Sequence, residues 1–324
     1  MIITFTANPS LDRTAQVEGV VTRGGVNRLG PATSEPGGKG VNVARAIHLA
    51  GQDVVAVLPA DDGDPLLLGL DSLGVAYRNV PIGSPARSNL TLVEADGTTS
   101  KFNEPGPALG EELLVTLRNT VVGAARTANG GVATWAVLSG SLPPGTPTNA
   151  YVHLVNQLHE LGVKVAVDTS DAPLQALAAA LPTTAPDLVK PNSEELGQLC
   201  DTDGLALEAE AAKGNWAPVL EAAHRLTAQG IGQVLVTLGG SGALLVTADG
   251  AWHATPPRID VASTVGAGDS SLAGYLLADV EGLDAPERLR RAVAYGSGAA
   301  ALPGSQLPSP EQTLPEQVTV TPVG

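Results

Sequence analysis

Short apolar runs of strand length alternate with Ala- and Leu-rich stretches along most of this chain, and that alternation limits the folds open to it. The runs are "MIITFT", "DVVAVLP", "VATWAVLSG", "GVKVAVDTS", "PDLVKPN" and "GQVLVTLGG". Helical stretches lie between them, among them residues 147–161, 171–181, 205–229 and 285–301. Repeated strand–helix units predict an α/β fold, a parallel sheet flanked by helices on both faces. Such sheets bind ligands beyond the carboxyl ends of their strands. Attention therefore falls on the polar residues that close the runs: Ser139, Asp168, Lys190, Asn192 and Thr237.

Two segments break the alternation. Residues 12–36 and 87–104 alternate polar and apolar side chains around Gly-containing turns, with "ADG" as a hairpin turn. They read as antiparallel strands of a small sheet projecting from one domain that spans residues 1–324. Surface hairpins without a role fit the same pattern. One face of the small sheet would be apolar, from Val17, Val20, Leu90 and Leu92. An isolated sheet of this size would expose that face, so pairing with a second chain, a homodimer, is expected. The Pro-rich tail after about residue 303 is expected to be loosely held.

Charge narrows the partners. Acidic residues outnumber basic ones by 33 to 18, a net charge of −15, which argues against a duplex DNA surface. An anionic substrate would need local cations or helix N-termini. No apolar run approaches the roughly 20 residues of a membrane helix. The start reads as a strand and not a signal peptide, and the single cysteine, Cys200, fits a reducing cytoplasm.

Four motifs carry chemistry. In "EPGGKGVNVARA", Gly37, Gly38 and Gly40 precede a buried helix, a place for an anion or polar ligand, with Lys39 and Asn42 beside it. It is neither a Walker A loop nor a dinucleotide fingerprint. "DLVKPNSEEL" fits a helix cap; it equally fits Asn192 and Glu195 orienting waters around magnesium. "VTLGGSGALLV" fits a hairpin or a glycine loop passing nucleotide phosphates. In "STVGAGDSSLAG", the turn Gly266–Ala267–Gly268 opens a helix, and Asp269 follows. Asp269 could be a capping acid, or a base at the edge of an anion hole. The five histidines show no metal-ligand spacing.

Taken in order, "TANPSLD", "EPGGKGVNVARA", "LSGSLPPG", "LVKPNSEEL", "VTLGGSGALL" and "STVGAGDS" resemble the PfkB family of sugar kinases, with the ribokinase-like fold. The resemblance runs to about residue 305, and it is greatest to the 1-phosphofructokinase branch. It implies an ATP- and Mg2+-dependent kinase converting fructose 1-phosphate to fructose 1,6-bisphosphate. Asp269 would be the catalytic base, and Gly266, Ala267 and Gly268 the anion hole. Asp12, Gly38, Lys39, Asn42 and Ser139 would hold the sugar. Arg28, Arg87 and Asn89, from the projecting lid, would meet its phosphate. Lys190, Asn192, Thr237, Gly239 and Gly242 would border ATP, Ser297 would lie near adenine, and Glu195 would organise the magnesium shell through water.

Lys39 in "GGKG" matches 1-phosphofructokinases and tagatose-6-phosphate kinases, whereas the minor 6-phosphofructokinase pattern has glycine there. Thr91 departs from it, standing where many 1-phosphofructokinases carry lysine. Tagatose-6-phosphate kinase and 6-phosphofructokinase are the alternative activities, and an inactive sugar-phosphate sensor the non-enzymatic one. A nicotinamide dehydrogenase lacks its glycine fingerprint here.

Overall fold

A computed structural model describes residues 1–128 and 130–324. The chain opens with β1 (Ile2–Thr6), β2 (Ser10–Val17), β3 (Leu29–Gly37) and helix α1 (Lys39–Leu49). Next come β4 (Val54–Pro59), α2 (Pro65–Leu73), β5 (Tyr77–Val80), β6 (Arg87–Val93), β7 (Thr99–Asn103) and α3 (Glu111–Arg126). Three strand–helix units follow: β8 (Trp135–Ser139) with α4 (Ala150–His159), β9 (Lys164–Asp168) with α5 (Asp171–Ala180), and β10 (Leu188–Val189) with α6 (Ser193–Cys200). After α7 (Gly204–Ala212) and α8 (Ala217–Ala228) come β11 (Gln233–Thr237), β12 (Ala243–Thr247) and β13 (Gly250–Thr255). Then follow α9 (Ala267–Val280), α10 (Ala285–Ala300) and β14 (Thr319–Pro322).

Ten strands form the main sheet, in the order β14-β13-β12-β11-β10-β9-β8-β1-β4-β5. The run from β11 to β5 is parallel, and β12, β13 and β14 add antiparallel partners beyond β11. Alternate side chains of each strand enter opposite cores. Ile3 and Phe5 pack on one face with α3, α4 and α8, while Ile2 packs on the other with α1, α2, α9 and α10. Most core side chains are Ala, Val and Leu, as the scarcity of aromatics requires.

Three expectations change. The stretch 205–229 is two helices, because Gly214 takes a positive φ of 77° and ends the first. The tail is not loose: Leu307 and Val318 are buried, and β14 completes the sheet edge against β13. The small sheet has the order β3-β2-β6-β7, and its two halves are antiparallel hairpins, but β2 and β6 pair in parallel. Topology explains this. β2 follows β1 and β6 follows β5, and these two strands point the same way in the main sheet. Both hairpins therefore leave it in one direction.

The apolar face of the small sheet also differs from expectation. Ala15, Val17 and Leu92 are buried within the chain, with Val21 and Leu90 packed on them. Segment 18–28 folds back to do this, as Val21 N donates to Glu94 Oε2 and Ala95 N to Gly19 O. Val20 is left exposed, as are Leu29 and Phe102 at the sheet's margins.

α9 is fixed at its far end by Asp279, which is buried. Its carboxylate accepts from Trp135 Nε1 at 2.8 Å and pairs with Lys164 Nζ at 3.0 Å and Arg288 Nη1 at 2.8 Å.

Candidate active site

Gly266 adopts the left-handed conformation (φ 76°) and delivers the chain into α9, whose first N–H groups receive no side-chain cap. That leaves a glycine turn with backbone donors at a helix N-terminus, suited to an anion. Asp269 is buried in the first turn, and its side chain does not cap the helix. Its Oδ2 accepts instead from Asn42 Nδ2 of α1 at 2.8 Å. A Cβ on Gly268 would stand 3.2 Å from Lys190 Nζ, so this ammonium lies directly beside the turn.

The strand ends supply the surrounding charges. Asp168 closes β9 and Lys190 follows β10, with Lys190 Nζ 3.2 Å from Asp168 Oδ2. Lys39 Nζ bonds to the other oxygen, Asp168 Oδ1, at 2.8 Å, and lies 3.5 Å from Glu195 Oε1. Glu195 is held by a capping box: its Oε2 accepts from Asn192 N, and its own N donates to Asn192 Oδ1. The capping reading of "NSEEL" holds through one carboxylate oxygen, and the other faces Lys39.

These contacts set the protonation states. Burial pushes the Asp269 carboxyl up to about 6, and the nearby Asp168 charge adds to this; Lys39, Asn42 and Lys190 oppose it. Burial works against the Lys39 ammonium, but Asp168, Glu195 and Asp269 together hold its pKa above the ordinary value. Burial likewise opposes ionisation of Asp168, and Lys190 and Lys39 outweigh it, so its pKa is lowered.

The glycines of "EPGGKG" have steric reasons. A side chain at Gly37 would collide with the Asp12 carboxylate, and one at Gly40 would come within 2.9 Å of Phe5 O. Gly38 takes φ 105° and its Cβ would meet Pro9 Cα at 3.2 Å. α1 can therefore start against the end of β1, which places Lys39 and Asn42 toward α9. Ser139 closes β8, with Gly140 beside Lys39.

The small sheet presents its polar face here. Asp12 Oδ1 accepts from Ser10 Oγ at 2.7 Å and Asn89 Nδ2 at 3.0 Å. Arg87 Nη1 donates to Glu104 O at 3.0 Å; burial lowers its pKa, while Asp12 and Glu104 support its charge. Several buried polar atoms around this space have no partner: Asn8 Oδ1, Asn42 Oδ1, Asn89 Oδ1, Arg87 Nε and Ser139 Oγ. Orphaned donors and acceptors in such number indicate a polar ligand or ordered water.

Thr237, Gly239 and Gly242 sit together at the end of β11. Thr237 N donates to Pro191 O, next to Asn192, and a side chain on Gly242 would strike Ala254 O. The loop is therefore a hairpin joining β11 to β12. Its Ser241 O accepts from His253 Nε2 at 2.8 Å, and His253 stacks on Trp216 with ring centres 3.9 Å apart. Ser297 is buried on α10, and a side chain on the adjoining Gly296 would stand 3.2 Å from Ala267 O at the start of α9. Arg28 is not brought in. It is exposed just before β3, at the end of that strand remote from Gly37, roughly 30 Å away by strand rise.

Residues 6–312 match the pfkB family carbohydrate kinase profile. The chain belongs to the PfkB family of carbohydrate kinases. It is 35% identical to a 1-phosphofructokinase of Rhodobacter capsulatus, over 99% of this chain and 96% of that one. It is 34% identical to the ATP-dependent 6-phosphofructokinase isozyme 2 of Escherichia coli K12, over 96% of each chain. A crystal structure of Phosphofructokinase-2 from Escherichia coli, in complex with substrates and products, superposes with a TM-score of 0.83 at 32% identity and 96% coverage of each chain.

For a PfkB kinase, two residues escaped the sequence reading. Asp168 is marked there only as a strand-closing carboxylate, with no role, yet it pairs with both Lys39 and Lys190. Lys101 stands opposite Thr91 across β6 and β7, on the same face as Asn89 and Asp12. Cross-strand register supplies a cation where the sequence motif lacks one.

Proposed function

We propose that this PfkB kinase phosphorylates a phosphorylated ketohexose, with fructose 1-phosphate as the preferred substrate and fructose 1,6-bisphosphate as the product. The observation that carries the reading is the set of unpartnered polar atoms between Asp269 and the small sheet, from Asn8, Asn42, Arg87, Asn89 and Ser139. A polyhydroxylated ligand satisfies such atoms. Arg87, with Lys101 on the neighbouring strand, gives it a phosphate contact. The small sheet is then a lid over the sugar, on a single kinase domain. Lys39 and the likeness to 1-phosphofructokinases favour fructose 1-phosphate. The likeness to 6-phosphofructokinase isozyme 2 makes fructose 6-phosphate the second reading.

The geometry suits the following division of roles. Asp12, Gly38 and Asn42 orient the sugar, and Asp269 accepts the proton of the attacking hydroxyl. That oxygen bonds to the γ-phosphorus of ATP as the bond to ADP breaks. The N–H groups of Gly266, Ala267 and Gly268, with Lys190 and Lys39, face the charge that spreads over the moving phosphoryl group. Asn192, Thr237, Gly239 and Gly242 border the nucleotide, with Ser297 toward adenine. Among the described residues no three carboxylate, His or Cys side chains form a metal cluster. Magnesium needs few protein ligands. Glu195 would hold a magnesium ion through water, and the ion would offset phosphate charge, while Asp168 is taken up by its pairs with Lys39 and Lys190.

The test is an ADP-release assay with fructose 1-phosphate, fructose 6-phosphate and tagatose 6-phosphate. Fructose 1-phosphate is expected to give the highest kcat/KM. A tenfold lead for another sugar, about 1.4 kcal/mol in the transition state, overturns the substrate assignment. No ADP release with any of them overturns the reading as a whole.

A further inference from the structure

Three sets of contacts converge on the turn after α10. Ser305 Oγ donates to Glu35 Oε2 at 2.9 Å, across 270 residues of sequence. Glu35 lies near the end of strand β3, just before the glycines, and its carboxylate also receives Arg45 Nη2 at 3.2 Å. Arg45, buried in α1, donates a second bond through Nη1 to Pro36 O at 2.8 Å. Two residues beyond Ser305, Leu307 Cδ2 lies 3.1 Å from the point where a side chain on Gly266 would begin. On the other flank, Gly304 (φ 64°) lies against Thr14 of β2, whose Oγ1 is 3.9 Å from a Cβ built there.

Residues 304–307 thus touch the root of the small sheet, one of its central strands and the turn that opens α9. Ser305 and Leu307 are both buried, so these contacts are packed and not incidental to a surface loop. The Ser305 hydroxyl is taken up by Glu35, and Leu307 has only an apolar side chain to offer.

We propose that residues 304–307 are a positioning strap, which sets the Gly266 turn according to where the small sheet sits. This rests on the kinase reading above. Glu35 and Arg45 join the end of β3 to α1, which carries Lys39 and Asn42. Movement of β3 toward a bound sugar carries Glu35 with it, and Ser305 follows through its hydrogen bond. Leu307 then bears on Gly266, whose backbone donors must be aimed closely at the transferring phosphoryl group. Misplacement of about 1 Å at such a site can cost about 100-fold in rate. The strap therefore links occupancy of the sugar side to alignment of the phosphoryl side, and neither Ser305 nor Leu307 touches a substrate.

The experiment compares Ser305→Ala, Ser305→Thr and Leu307→Met with wild type. It reads kcat, both KM values, Tm, and the Kd of a non-hydrolysable ATP analogue with and without saturating sugar phosphate. The sugar phosphate is whichever compound wild type turns over best, so a wrong substrate assignment does not disturb the readout. Wild type should bind the analogue more tightly when the sugar phosphate is present. Ser305→Ala should lower kcat by about 10-fold with KM values within about twofold, and should reduce the mutual tightening. Ser305→Thr, which keeps the hydroxyl, should restore both. Leu307→Met should reduce the tightening at nearly unchanged Tm. An absence of mutual tightening in wild type overturns the strap. So does a Ser305→Ala variant that loses Tm but keeps kcat and the tightening.

Discussion

Asn42 Nδ2 and Asp269 Oδ2 lie 2.8 Å apart, joining the starts of two helices that are 227 residues apart in sequence. The bond aims a buried carboxylate away from its own helix end. α9 therefore begins without a side-chain cap, and its backbone donors are left to face the site.

Asp269→Asn should lower kcat by about 10²–10⁴-fold, the usual contribution of a general base, while ATP still binds. The folded carboxyl is pushed up to about 6, above the unfolded value near 4, so the folded protein holds this proton more tightly. The stability so gained is complete below about 4 and is lost as pH rises through about 6. At pH 8 the charged group is a cost that asparagine does not carry. The variant should therefore have a higher Tm than wild type at pH 8, with the gap closing toward pH 4. In wild type, kcat/KM should fall on the acid side of about 6. Paired pH–Tm and pH–rate profiles check both, and a variant with kcat within threefold of wild type would show that Asp269 is not the base.

Arg87→Ala should raise the sugar-phosphate KM with little change in the ATP KM. A phosphate remote from the reacting hydroxyl is held alike in ground and transition states. Lys101→Ala should act in the same direction and more weakly, since Lys101 is exposed and Arg87 half-buried. Steady-state kinetics with each substrate varied separately decides this. An unchanged sugar-phosphate KM would remove the residue from the site.

Two chains should associate through the small sheet, where Val20, Leu29 and Phe102 are exposed. Arg28, remote from its own chain's site, would then be available to a partner. Phe102→Asp should shift the species seen by light scattering from dimer to monomer. A wild-type monomer at micromolar concentration would contradict the association.

Asp279→Ala should destabilise the fold by about 3 kcal/mol. It leaves the buried Trp135 indole N–H unpaired and two cations without their carboxylate. Chemical denaturation measures this. At temperatures where the variant is folded, KM for both substrates should match wild type.

Much of this was legible in the sequence. Strand runs closing on Ser139, Asp168, Lys190 and Thr237 pointed to the candidate site, because a parallel sheet puts all its carboxyl ends on one side. The glycine boxes marked the starts of α1 and α9 by their steric demands. What stayed hidden depends on pairing at a distance. Asp168 becomes a hub only when Lys39 and Lys190 arrive from other strands and helices. Lys101 comes opposite Thr91, where the motif lacks its cation, only through β6–β7 register. The burial of Val17 and Leu92 depends on how segment 18–28 folds back, and nothing local in that segment announces it. The parallel pairing of β2 with β6 follows from the directions of β1 and β5, which no hairpin signal contains.

That parallel pair has a consequence for engineering. Asp12 and Glu35 come from one hairpin, Asn89 and Lys101 from the other, and the seam between them is the β2–β6 ladder. On the sugar-site reading proposed above, sugar preference would be the property of a two-part cassette encoded in separated stretches. Grafting one hairpin from a kinase of different preference would join foreign and native edges at that seam. The foreign polar face would be set against native partners. A chimaera that exchanges both stretches together keeps the seam native to itself, and it is the smaller leap although it changes more residues.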